Sequence, residues 1–138
     1  MLLVTGFFNL NKLQNNNKVN VESYINDFIY LTSVINKYKI IVYLDNTLSN
    51  YKNLLLNINN IIVKDISLND LPLYQYLDKI KKCKLCQTYF DNLKFTPLYS
   101  IIINSKIYLL KLAINEYKDE NCFSWIDFGC MKYSYIKK

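Results

Sequence analysis

The chain contains no histidine and no arginine, and all 17 of its cationic side chains are lysines. Without His, Ser-His-Asp and Cys-His catalysis is excluded, as is any His-containing metal site. Without Arg there is no guanidinium fork for guanine or for a carboxylate. Glycine and proline occur only twice each, and tryptophan once. No uninterrupted apolar run reaches the roughly 18 residues that span a bilayer, so no transmembrane segment is expected. The opening Met1-Leu2-Leu3-Val4-Thr5-Gly6 has no charged region ahead of its apolar residues and no small-residue cleavage site. It reads as a strand rather than a signal peptide, and a cytoplasmic protein is expected.

What is present fits one domain. The 138 residues are 51% apolar by a wide count and 20% charged, enough to build a core and too apolar for intrinsic disorder. Net charge is +6. The abundance of Asn, Ile, Lys and Tyr is that of an AT-rich genome, so much of the composition reflects codon usage. Of the four cysteines, Cys83 and Cys86 form a C-x-x-C, while Cys122 and Cys130 are too widely spaced for a zinc knuckle. They read as plain cytosolic thiols, with a redox or zinc role as the alternative.

Residues 2–8 read as a buried strand and the Asn-rich residues 9–20 as a loop. Asn20 is a candidate N-cap for a helix carrying Ile25, Phe28, Ile29, Leu31 and Ile35 at helical spacing. The run Ile40-Ile41-Val42-Tyr43-Leu44, closed by Asp45-Asn46, predicts a second strand and a turn. A short helix is expected over 51–58 and a third strand from Ile61. Asn69 or Asp70 caps an expected helix containing Leu73, Tyr76, Leu77 and Ile80. Thr96-Pro97 opens another, running to about Tyr117 and apolar enough to be largely buried. Residues 122–126 form the last strand. This β-α-β-α-β-α-α-β order predicts an α/β fold: a Rossmann-like, mostly parallel sheet with helices on both faces. Ligands of such sheets sit beyond the carboxyl ends of the strands, where strand order reverses.

Few residues at those ends can carry chemistry. Gly6 and Gly129 lie at or near the ends of the first and last strands, where glycine admits a close ligand or relieves a tight turn. Asp127 can hold a divalent cation against a diphosphate, or simply form a turn ahead of Gly129. Asp45 reads as a turn residue that could also accept a hydrogen bond from a base or ribose. Lys106, amid Ile101, Ile102, Ile103, Tyr108 and Leu109, either snorkels along its helix or places a point charge on a phosphate.

Val4-Thr5-Gly6-Phe7-Phe8, Ile41-Val42-Tyr43-Leu44-Asp45, Ser105-Lys106 and Trp125-Ile126-Asp127-Phe128-Gly129 resemble, in that order, motifs of the HtrL/YibB group of glycosyltransferase-like proteins. The resemblance spans Val4 to Gly129. It implies the N-terminal half of a GT-A-type fold that transfers a sugar from a nucleotide-sugar donor to a glycan or other hydroxyl acceptor. It also implies Mn²⁺ or Mg²⁺ as cofactor, with Asp127 as the metal ligand. Thr5, Gly6, Phe7, Asp45, Lys106, Asp127 and Gly129 are the implied donor-binding residues. Gly129 stands where such enzymes carry a second acid, which leaves the cation to be completed by diphosphate oxygens and water. The chain is short after this motif compared with GT-A enzymes. The expectation is therefore a nucleotide-binding half truncated after the acidic motif, or one whose site a second chain completes. No catalytic base is assigned.

Two other readings stand beside this one. The first is a non-catalytic remnant or partner subunit of a larger transferase. The second is a lysine-rich nucleic-acid-binding module, suggested by Lys37-Tyr38-Lys39 and Lys79-Ile80-Lys81-Lys82. The codon bias accounts for these lysines and tyrosines, so nucleic acid is not the expected partner.

Overall fold

The first apolar run forms strand β1 (Leu2–Phe7), buried along nearly its whole length. The computed structural model describes residues 1–9, 20–83 and 96–128. The β-branched run forms β2 (Lys39–Asp45), followed by β3 (Ile61–Ile66) and the short β4 (Phe123–Trp125). The strands lie in the order β3-β2-β1-β4, and every pairing is parallel. Val4 stands opposite Ile41 on one side and Trp125 on the other, and Ile41 in turn faces Ile62. A parallel strand covered on both faces needs apolar side chains on both, which is why Ile40 to Leu44 show no alternation.

The helices obey the same logic. Asn20 caps α1 (Val21–Val34), its side-chain oxygen accepting from the Ser23 amide at 3.0 Å. Ile25, Phe28 and Leu31 of α1, with Leu48 and Leu55 around α2 (Lys52–Leu56), pack with Leu3, Phe7, Ile40, Val42 and Leu44 on one face of the sheet. Ile101, Leu109 and Ala113 pack with Leu2, Val4, Ile41 and Tyr43 on the other. Those three residues belong to α4 (Pro97–Asn104) and α5 (Lys106–Glu116), which follow the one-turn helix α3 (Leu77–Lys81). The steps β1→β2→β3 run one way with helices on one face. The return from β3 past β1 to β4 puts its helices on the opposite face, as right-handed crossovers require. The result is a Rossmann-like α/β fold with helices on both faces.

Three expectations need correcting. The helix expected from Asn69 or Asp70 breaks into two 3₁₀ turns, Leu68–Asp70 and Tyr74–Tyr76, before the short α3. Ser67 is the cap, in a reciprocal box with Asp70. Pro72 holds the preceding Leu71 in an extended conformation and stops the first turn. The helix from Thr96 begins where expected, with Thr96 accepting from the Tyr99 amide, but it breaks at Ser105. There the Ser105 hydroxyl donates to the Ile101 carbonyl at 2.7 Å, a back-bond that bends helices.

Nor is that helical stretch largely buried. Leu98, Ile101, Leu109 and Ala113 face inward, while Ile107 is 79% exposed and Ile103 and Ile114 are also exposed. The 20 residues Pro97–Glu116 are long and apolar enough to cross a membrane by length and composition, with 28% buried. Counting uninterrupted apolar runs misses this stretch because Lys106 and Lys111 interrupt it. The last strand pairs over the expected range, since the Leu2 amide donates to the Cys122 carbonyl and the Ile126 amide to the Val4 carbonyl. As the edge of the described sheet, it is only partly buried.

Candidate functional site

Strand order reverses between β1 and β4, so the crevice beyond their carboxyl ends is where this topology leaves room for a ligand. At that rim the chain brings together residues far apart in sequence. Lys106 is the first residue of α5, which crosses over β1 and β4. Asp127 lies two residues beyond β4. Lys106 Nζ donates to Asp127 Oδ1 at 2.6 Å, and Trp125 Nε1 donates to the same oxygen at 2.8 Å. The ammonium also lies 5.5 Å from the centre of the Trp125 ring, within cation–π range.

The electrostatics of Asp127 are a contest. Partial burial pushes its carboxyl up. The hydrogen bonds from Lys106 and Trp125 and the charge of Lys106 outweigh that and hold it below the usual carboxylate range. Its side chain is nevertheless 61% exposed, against 30% for Lys106. The lysine carries the charge that a helix start disfavours, and it is offset by a carboxylate just past the neighbouring strand. The far end of α5 mirrors this, with Glu116 paired to Lys64 of β3.

Sequence reasoning assigns no role to Trp125. The signal was present: residues two apart on an extended segment project to the same side, so 125 and 127 share a face. Gly6 lies beside the indole. It sits inside β1 rather than in a turn, and a Cβ there would come within 2.9 Å of Leu109 Cδ1, 3.0 Å of the Phe8 ring and 3.5 Å of the Trp125 ring. The missing side chain lets Leu109 of α5 and the Phe8 ring close down on the strand, while the Trp125 ring sits at ordinary contact distance.

The other expected site residues that are described have different surroundings. Asp45 is 2% exposed. Its Oδ2 accepts from the Asn9 amide at 3.0 Å, and its Oδ1 caps the following 3₁₀ turn through the Thr47 amide at 2.9 Å. Phe7 lies in the core, stacked on Phe128 at 4.1 Å between ring centres, and Phe128 stacks on Phe28 in turn. Thr5 is fully buried, and its hydroxyl finds no hydrogen-bond partner among the described residues. Gly129, Cys86 and Cys130 lie outside the described residues, and Cys83 and Cys122 are both exposed.

The described residues at this rim do not build a cation site from protein ligands alone. No three acidic or thiol side chains come together among them. The carboxylate at the site already shares one oxygen with an ammonium and an indole N–H, both of which repel a cation. A comparison of the chain with protein-family models, with curated proteins and with solved structures found no match.

Proposed function

We propose that the protein binds a nucleotide-sugar donor in the crevice between β1 and β4, as a glycosyltransferase-like protein. The observation that carries this reading is the meeting of Lys106 and Asp127 at the point where strand order reverses. In open α/β sheets that is where nucleotides bind. The resemblance of the four motifs to the HtrL/YibB group supports the same assignment. In transfer, the bond from the anomeric carbon to the diphosphate oxygen breaks and a bond to the acceptor oxygen forms. The acceptor proton passes to solvent or a base, and the nucleoside diphosphate leaves with the electron pair. Lys106 contributes positive charge where that leaving group gathers negative charge.

A binding role without turnover is the second reading, favoured by the poor fit of the rim to a protein-held cation. Thermal unfolding with UDP-, GDP- and CMP-sugars, with and without Mn²⁺, tests binding first. A ligand at about 100 times its Kd stabilises by about 2.7 kcal/mol, which moves Tm by several degrees. One sugar nucleotide should give that shift, and Lys106→Met should remove it. Release of free sugar or transfer to an added acceptor then separates the two readings.

A further inference from the structure

Two hydrogen-bond donors on different elements converge on a single oxygen atom. Lys106 Nζ reaches Asp127 Oδ1 from α5, and Trp125 Nε1 reaches it from β4. Neither donor can accept a hydrogen bond, since an ammonium and an indole N–H are donors only. Together they form a seat that only an anionic or otherwise electron-rich oxygen can fill. We infer that Asp127 is the resident occupant of this seat, and that a ligand phosphate oxygen takes the seat by displacing it.

The seat is better fixed than its occupant. The Trp125 ring lies against the space left by Gly6, beside Leu109, which is 1% exposed. Lys106 lies above that ring and keeps the cation–π contact when the carboxylate leaves. Asp127 is 61% exposed, so its carboxylate can swing into water and be solvated there. An ion pair this exposed is weak, which makes displacement cheap. Phosphate oxygens attract both donors as the carboxylate does, and diphosphate brings more charge than one carboxylate. Asp127 therefore acts as a built-in competitor that keeps Lys106 in place in the absence of ligand. This inference rests on the proposed phosphate-bearing ligand but not on the sugar or the base.

The test is titration of inorganic pyrophosphate into the full chain at fixed ionic strength, by calorimetry and by the fluorescence of Trp125, the chain's one tryptophan. Asp127→Asn and Asp127→Ala should each tighten pyrophosphate binding by about threefold or more, because the competing charge is gone. Lys106→Met should weaken it by about tenfold or more. Asp65→Asn removes the same charge from an exposed pair with Lys52, away from the seat, and should leave affinity unchanged. Weaker or unchanged binding in both Asp127 variants overturns the inference, as does equal tightening in Asp65→Asn or no binding to any form. If the Asp127 variants bind pyrophosphate more tightly and no sugar nucleotide binds better than pyrophosphate, the seat stands and the nucleotide-sugar reading falls.

Discussion

Asp45 and Asp127 stand at the same rim of the sheet, at the end of β2 and just past β4, on either side of β1, and they are held in opposite ways. Asp45 is buried, and its two oxygens accept from backbone amides, one in the chain after β1 and one in the turn it caps. Asp127 is exposed, and one of its oxygens is held by two side chains. A carboxylate satisfied by backbone is part of the scaffold, because nothing can replace it without breaking a loop or a cap. One held only by two side chains, and itself exposed at an open edge, is free of that constraint, and under the proposal above it gives way to another anion. The same residue type at equivalent strand ends thus serves architecture in one place, and in the other is left to the recognition role proposed above.

Substitutions can break this contrast. Asp45→Ala should cost about 2–3 kcal/mol in urea unfolding, since it removes a cap and the buried acceptor of the Asn9 amide. A loss below about 1 kcal/mol would place Asp45 with Asp127 instead. Gly6→Ala should cost about 1–2 kcal/mol in urea unfolding through overpacking against Leu109 and Phe8, and a cost near zero would mean that both side chains give way freely.

Asp127→Asn should change stability least, by under about 1 kcal/mol at pH 7. The sign of its pH dependence follows from the depressed carboxyl. The contribution is complete above the ordinary carboxylate value and fades as pH falls through the lowered folded value. The Tm difference between wild type and Asp127→Asn should therefore shrink towards zero in strong acid. A difference that grew on acidification would mean that burial, not Lys106, controls this group.

The scaffold was largely legible in the sequence because its signals are local. Asn20 and Thr96-Pro97 announce helix starts, and Ile40 to Leu44 can only be a strand buried on both faces. Pro72 and Ser105 also act locally, yet helical spacing of Leu73, Tyr76, Leu77 and Ile80 masks the first, and a serine back-bond leaves no pattern to read. Lys106 and Asp127 could each be singled out, but their pairing spans 21 residues and depends on β4 lying beside β1. Strand order is a tertiary property that alternating elements leave open. For the same reason Gly6 looked like a turn or a ligand contact, when the group crowding it is Leu109 from a helix about a hundred residues away.

The most direct test of the account uses Trp125 as its own reporter. Fluorescence titration with UDP-, GDP- and CMP-sugars should give a saturable change with at least one donor in the wild-type chain. The change should vanish in a Lys106→Met variant that unfolds at the same temperature as wild type in the absence of ligand. Silence with every donor, or an undiminished response without the lysine, would contradict a phosphate-binding crevice between β1 and β4.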